Sequence, residues 1–377
     1  MRRIDSRMGL GLTFAAAIAG TSAGAQTFEN DSGGSVRFYG QVSPSYLSFD
    51  DGEETTGKIV DNSNSNTRFG FSVTQPMSVG ELVFTFETGL GFRQSALVSQ
   101  SNTPPTLDWR RTALRRLEAA YTADFGTLAI GQGFMATDNV ATLDPSGTAL
   151  VVSVGVSDAA FAFREKSGAL SSVRVIDAFK EFDGARLFRI RYDTPTYSGF
   201  SGAVSYGRNV LAEDDDTDYY DIALRWSGTQ GDFALAAAAG YAWEDEGKSR
   251  APGVKPGDVT TNERYSGSFS LLHTPTGLNL SASAGGDPEG GNYGFVRAGW
   301  TYDFTSYGPT SLAISYYGGS DVAKGNSSSE GVGFAAMQTF TDLDLDVYLG
   351  YREYQYDDDA ASYQDASSVF LGARFKF

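Results

Sequence analysis

The chain has 377 residues, with 46 acidic side chains against 29 Lys and Arg, a formal charge of −17 and no cysteine. Such acidity disfavours a nucleic-acid partner, because phosphate binding needs clustered cations that release counterions. The missing thiols exclude disulfides and thiol chemistry.

At the front, Arg2, Arg3 and Arg7 precede an apolar run from Met8 to Ala19 and then Ala23-Gly24-Ala25. This pattern predicts a secretory signal over residues 1–25 and a mature chain from Gln26. Loss of Arg2, Arg3, Arg7 and Asp5 takes the formal charge of the mature chain from −17 to −19. No segment is long and apolar enough to cross a bilayer as a helix.

From Val36 onward, short alternating segments recur between Gly, Pro, Asp, Asn and Ser clusters, an all-β pattern. The expected strands are Val36 to Phe49, Asn66 to Pro76, Glu81 to Arg93, Arg110 to Phe125 and Thr127 to Phe134. A long irregular stretch, 135–185, follows. Arg186 to Pro195 then sets Phe188, Ile190 and Tyr192 on one face and Arg189 and Arg191 on the other. Further strands are expected at Phe200 to Tyr206, Tyr219 to Trp226, Phe233 to Trp243, Tyr265 to His273, Leu278 to Ala284, Tyr293 to Tyr302, Thr310 to Tyr317, Val332 to Phe340 and Leu343 to Tyr351. The closing strand puts Val369, Leu371, Ala373, Phe375 and Phe377 on one apolar face that runs to the last residue.

These sixteen strands are joined by turns that are short at one end and by loops that are mostly longer and acidic at the other, including Asp50 to Ser65 and Glu244 to Asn262. The pattern predicts a transmembrane antiparallel β-barrel of about 16 strands, residues 26–377, closed by pairing of the last strand with the first. A β-sandwich gives no reason for the loop asymmetry. Tyr121, Phe125, Trp226, Tyr302, Phe304, Phe375 and Phe377 fall near the short-turn ends, as an aromatic girdle at a membrane interface would.

The segments T-R-F-G-F-S-V (Thr67 to Val73), R-L-E-A-A-Y-T-A-D-F-G-T-L-A-I-G-Q-G (Arg116 to Gly133), R-I-R-Y-D-T-P-T-Y-S-G-F-S-G-A-V-S-Y-G (Arg189 to Gly207) and the terminal F-L-G-A-R-F-K-F resemble the general diffusion porins of alphaproteobacterial, Rhodobacter-like outer membranes. The resemblance spans nearly the whole mature chain. It implies a homotrimer whose third external loop folds inward to narrow each pore, with Phe375 and Phe377 in the signal that barrel-assembly machinery reads. Two features depart from the family: Gln132 stands where relatives often carry Arg, and Thr148 to Val156 is unusually apolar for a loop lining water.

A water-filled barrel sorts solutes by the charges that line it. Strand parity points Arg37, Arg68, Arg116, Arg189 and Arg191 inward. Asp138, Asp144, Asp158 and Glu165 in the 135–185 loop are expected to face them across the constriction, and the sign of ion selectivity stays open, the net acidity leaning it toward cations. Acid clusters at Asp50, Asp51, Glu53 and Glu54, at Asp214 to Asp216 with Asp218, and at Asp357 to Asp359 offer oxygen ligands through which Ca²⁺ or Mg²⁺ would bridge to lipopolysaccharide, although ordinary solvated loop charge is the simpler reading. The only histidine, His273, lies near a short-turn strand end and offers no base to a hydrolase on the outer rim. The function expected is therefore passive diffusion of small hydrophilic solutes and ions, with no cofactor and no chemistry. The alternatives are a substrate-selective channel of the same fold and a barrel enzyme or structural anchor.

Overall fold

A computed structural model describes residues 25–213, 215, 217–245 and 261–377. Residues 1–24 of the expected signal segment, Asp214 and Asp216, and most of the Glu244 to Asn262 loop lie outside the described residues. The strands in chain order are β1 (Gln26–Glu29), β2 (Ser35–Val42), β3 (Pro44–Asp50), β4 (Thr55–Asp61), β5 (Arg68–Pro76), β6 (Glu81–Gly89), β7 (Leu114–Ala123) and β8 (Gly126–Phe134). Within the long loop lie β9 (Ala162–Arg164) and β10 (Leu170–Arg174). Beyond it come β11 (Arg186–Asp193), β12 (Phe200–Arg208), β13 (Asp218–Gln230), β14 (Phe233–Asp245), β15 (Thr261–His273), β16 (Leu278–Gly286), β17 (Asn292–Thr305), β18 (Gly308–Ser320), β19 (Ser327–Phe340), β20 (Leu345–Asp358) and β21 (Ala366–Lys376).

Each barrel strand pairs antiparallel with its neighbours in the wall. β2 and β3 are one stave interrupted at Ser43, and β4 and β5 are another interrupted between Asn62 and Thr67, so the wall has sixteen staves. β21 closes it against β3, from Ser367↔Asp50 to Gly372↔Ser45, and against β2 at Gln41↔Lys376 and Val42↔Phe375. Phe377 completes the seam by exchanging backbone hydrogen bonds of 3.0 and 2.8 Å with Gly40. Below that point β1 takes over, pairing Gln26↔Phe38 through Glu29↔Ser35, so the chain's own N-terminal segment covers the edge that the last strand leaves open.

Burial alternates along the staves with period two. On β20 the residues Asp346, Tyr348, Gly350, Arg352, Tyr354 and Tyr356 are buried toward the interior, while Val347, Leu349 and Glu353 face out. The outer surface exposes Leu117, Ile130, Phe188, Ile190, Ile222, Leu224, Leu280, Val296, Ile314, Phe334 and Leu371. In hydrocarbon each such side chain leaves water and contributes ~1.5–3 kcal/mol, which is why a lipid-facing wall tolerates what a soluble surface does not. Rings gather at the short-turn rim, with Phe200 and Trp226 at 6.2 Å, Trp300 and Phe304 at 4.8 Å and Phe375 and Phe377 at 6.4 Å between centroids. At the opposite rim Tyr206, Tyr220 and Trp243 form a second row, 5.1 and 5.6 Å apart.

The structure corrects three sequence boundaries. Asp50 to Ser65 is not a loop: only residues 51–54 turn, and the polar segment Thr-Thr-Gly-Lys-Ile-Val-Asp continues the wall as β4. The third stave ends at Gly89 and the fourth begins at Leu114, leaving residues 90–113 as a second long external loop. The first stave breaks at Ser43, whose N–H turns aside to Thr67 Oγ1 at 2.9 Å. There the Asp61 carboxylate accepts from the Thr67 N–H and hydroxyl at 2.9 and 2.7 Å, holding the 62–67 kink toward the interior.

Candidate pore constriction

The loop 135–185 enters the barrel. Arg225, on the inward face of β13, donates to the carbonyls of Ala136 and Asp138 at 2.7 and 2.8 Å, and Asp221 on the same stave accepts from Thr137 N at 2.7 Å. Further along, Asp144 meets Arg297 of β17 at 2.7 Å, the two side chains 5% and 1% exposed. Asn62 in the kink donates to Leu150 O at 2.9 Å, and Asp158 lies 3.4 Å from Arg352 of β20. The loop thus follows the inner wall from β13 round to β3.

Its apolar stretch explains why it stays there. Val151, Val152, Val154 and Val156 are buried against the wall, on a bed made by inward-facing glycines. A Cβ on Gly333 would come within 2.7 Å of Val152 Cγ1, and one on Gly331 within 2.9 Å of the Phe179 ring, so side chains there would lift the loop. Phe161 stacks on Phe49 at 4.4 Å and Phe163 on Tyr356 at 5.2 Å. The β9–β10 hairpin is latched to the rim by Arg164, which donates to both oxygens of Asp51 at 2.9 and 2.8 Å. With ~1.5–3 kcal/mol for each buried Val or Phe, the docked face far outweighs any single polar anchor.

What remains open lies between this loop and the staves from β5 to β13. Two carboxylates on that wall serve four arginines. Glu87 binds Arg115 at 2.5 Å and lies 3.6 Å from Arg68, and Glu118 binds Arg116 at 2.5 Å and also Arg189. Arg191 pairs with Asp193 at 2.7 Å. Arg186 has no carboxylate within 4 Å among the described residues, and its guanidinium lies 5.4 Å from the Phe134 ring centre. Six arginines therefore share three carboxylates, and the wall is basic although the chain is acidic.

Across from it stand Asp138 and Asp183. Asp183 accepts from the N–H groups of Asn139 and Val140, both at 2.9 Å, which folds the loop's end back on its start. Burial and the neighbouring Asp183 push Asp138 up to about 7, against the pull of Arg186, Arg191 and Arg225. Burial also raises Asp183. Opposed charges of this kind set a transverse field that orients dipolar solutes.

Arg68, Arg116, Arg189 and Arg191 are thus on one wall, and Arg37 lies exposed near the short-turn end of β2, away from the acids. Of the four expected acids, Asp138 faces the arginines. Asp144 and Asp158 are instead bound to Arg297 and Arg352 on the loop's own side, and Glu165 sits in the hairpin opposite Tyr363, where it accepts from Ser167 Oγ at 2.9 Å. Arg225, Arg297 and Arg352 went unnoticed although each falls on the inward parity of its strand. Arg115 had no such signal: a register shift opposite Glu87 and Thr88 turns both Arg115 and Arg116 inward. The external acid clusters are partly engaged within the chain, Asp51 by Arg164 and Asp358 by Lys324 at 2.6 Å. Among the described residues no three His, Cys, Asp or Glu side chains gather to hold a metal ion.

A closed, lipid-faced barrel of sixteen strands with a charged interior loop is a transmembrane channel. The model of the Gram-negative porin family matches residues 11–359, and the chain belongs to that family. It is an outer-membrane porin. A comparison with curated proteins finds no match. Among solved structures, the anion-selective porin from Comamonas acidovorans is similar at 14% identity and TM-score 0.61, covering 91% of this chain and 100% of that one. The trimer form of the outer membrane protein OmpT of Vibrio cholerae matches at 14% and 0.54, covering 91% and 99%. OmpF of Salmonella typhi, in complex with daunomycin, matches at 13% and 0.59, covering 93% and 100%.

Proposed function

We propose that this porin is a general diffusion channel of the alphaproteobacterial type that passes small hydrophilic solutes and favours anions. The observation that carries the reading is the basic wall, in which Arg68, Arg115, Arg116, Arg186, Arg189 and Arg191 share only Glu87, Glu118 and Asp193. A site lined by excess cations between low-dielectric walls concentrates anions whatever the charge of the external loops. An anion-selective relative of the same fold supports this sign, which replaces the preference for cations suggested by net charge.

The reading extends to a homotrimer exported by a signal cleaved after Ala25, recognised by assembly machinery through Phe377, and carrying out no chemical reaction. The exposed external acids, Asp357 and Asp359 together with Asp50, Glu53 and Glu54, which Thr55 and Arg164 engage only in part, are left to meet lipopolysaccharide through Ca²⁺ or Mg²⁺. The test is reconstitution in a planar bilayer: stepwise conductance that grows linearly with KCl supports a general channel. Bilayers that stay silent after insertion would end the pore reading, and saturation by one solute alone would favour the substrate-selective alternative.

A further inference from the structure

A cavity of about 740 Å³ adjoins the outer side of the constriction and shares Arg115 and Arg186 with it, between the second external loop and the outer ends of the staves from β6 to β12. Arg93, Arg115, Arg186, Gln132, Phe92 and Leu211 are among the residues that line it. Its charge is unbalanced. Arg93 spends Nε and one terminal nitrogen on neutral acceptors, Pro104 O at 2.6 Å and Thr106 Oγ1 at 3.0 Å. Arg115 gives Nε to Glu87 and another nitrogen to Asn66 Oδ1 at 2.9 Å, and Arg186 has no ion pair among the described residues. The one carboxylate in the lining, Asp108, is taken by Arg110 at 2.6 Å.

A second observation comes from Gln132, which is 5% exposed. Its Nε2 donates to Arg186 O at 3.3 Å, while its Oε1 is buried without a hydrogen-bond partner. A buried acceptor in that state is stabilised by any donor that reaches it. Cations and an unused acceptor in one cavity suit a molecule that carries a carboxylate and, some way along, a hydroxyl. Phe92 and Leu211 add apolar surface for its carbon chain, and the volume is in the usual range of small-molecule sites.

We propose that this cavity is a binding station for small hydroxylated carboxylates, sugar acids and hydroxy acids, which it holds above the constriction before release along Arg68 and Arg116. This deepens the anion-favouring reading and rests on it. Weak, multi-site binding of this kind speeds a chosen solute without closing the channel to others.

The test uses the intact porin in a planar bilayer, with gluconate as probe and hexanoate, equal in charge and chain length but without hydroxyls, as comparison. Gluconate on the external side should reduce KCl current in a saturable way, and hexanoate should do so more weakly. Arg93→Gln, a change in the cavity lining away from the constriction wall, should raise the half-saturating gluconate concentration about tenfold, equivalent to ~1.4 kcal/mol. Gln132→Met should erase the preference for gluconate over hexanoate, and Arg111→Gln, outside the cavity, should alter neither. KCl conductance with no gluconate effect, or a half-saturation that Arg93→Gln leaves unchanged, overturns the station while sparing the channel. Absence of KCl conductance in the unaltered protein overturns both. If Arg93→Gln fails to insert, the Gln132→Met comparison decides.

Discussion

Replacing Arg297 with Met should destabilise the porin through the carboxylate it leaves behind. Arg297 and Asp144 meet at 2.7 Å with side chains 1% and 5% exposed. Asp144 also accepts from Ser146 N and Ala149 N, both at 2.9 Å, so it is fixed in place and cannot turn to water. Removing one partner of such a pair costs ~3–5 kcal/mol, because the other charge is left buried and uncompensated. Arg297→Met alone should therefore lower the unfolding midpoint in urea strongly, and Arg297→Met with Asp144→Asn, which removes the stranded charge and keeps an oxygen to accept from Ser146 N or Ala149 N, should recover part of the loss. Only the stretch around residues 144–152 should loosen, because the buried Val and Phe side chains hold the rest, so single-channel current should become noisier without a large rise in its mean. A cost below ~1 kcal/mol for Arg297→Met, or a double variant no better than the single, would refute the closed pair and its role in seating the loop.

Deleting Asp138 to Glu165 should raise single-channel conductance, and an unchanged value would mean that the loop is not the constriction. Protonation at the constriction gives a pH dependence. Asp138 is raised to about 7, so below that value it gains a proton, the acidic side weakens and anion preference rises, while above it the opposing field is restored. The groups facing it are Asp183, Arg186, Arg191 and Arg225. Reversal potentials between pH 6 and 8 should shift accordingly and lose that shift in Asp138→Asn; a flat profile in the unaltered porin contradicts the assignment. Phe377→Ser should impair insertion, by removing an outward ring and weakening the seam with Gly40, yet leave the conductance of inserted channels unchanged. Normal insertion would count against the seam account.

The barrel was legible because alternation is local: Phe188 and Ile190 against Arg189 and Arg191 declare both faces of a stave within four residues. β4 was hidden because its sequence is polar and glycine-containing, and its strand state comes from pairing with β3. The apolar Thr148 to Val156 looked misplaced in a loop until its bed became visible, and that bed is made by glycines on β19 and β20 nearly two hundred residues away in sequence. For the same reason the loop acids could not be sorted. Asp138 and Asp144 look alike in sequence, and only the positions of Arg186, Arg191, Arg225 and Arg297 separate a carboxylate that faces the pore from one that fastens the loop. The sign of the lumen was obscured because the external acids dominate the composition.

The most direct test of the basic constriction is the zero-current potential of the reconstituted porin across a tenfold KCl gradient at pH 7.4. The account predicts a potential of the sign given by chloride permeating faster than potassium, reduced when Arg186 and Arg191 are both replaced with Gln. A potential of the opposite sign, or one that the double replacement leaves unmoved, would contradict it.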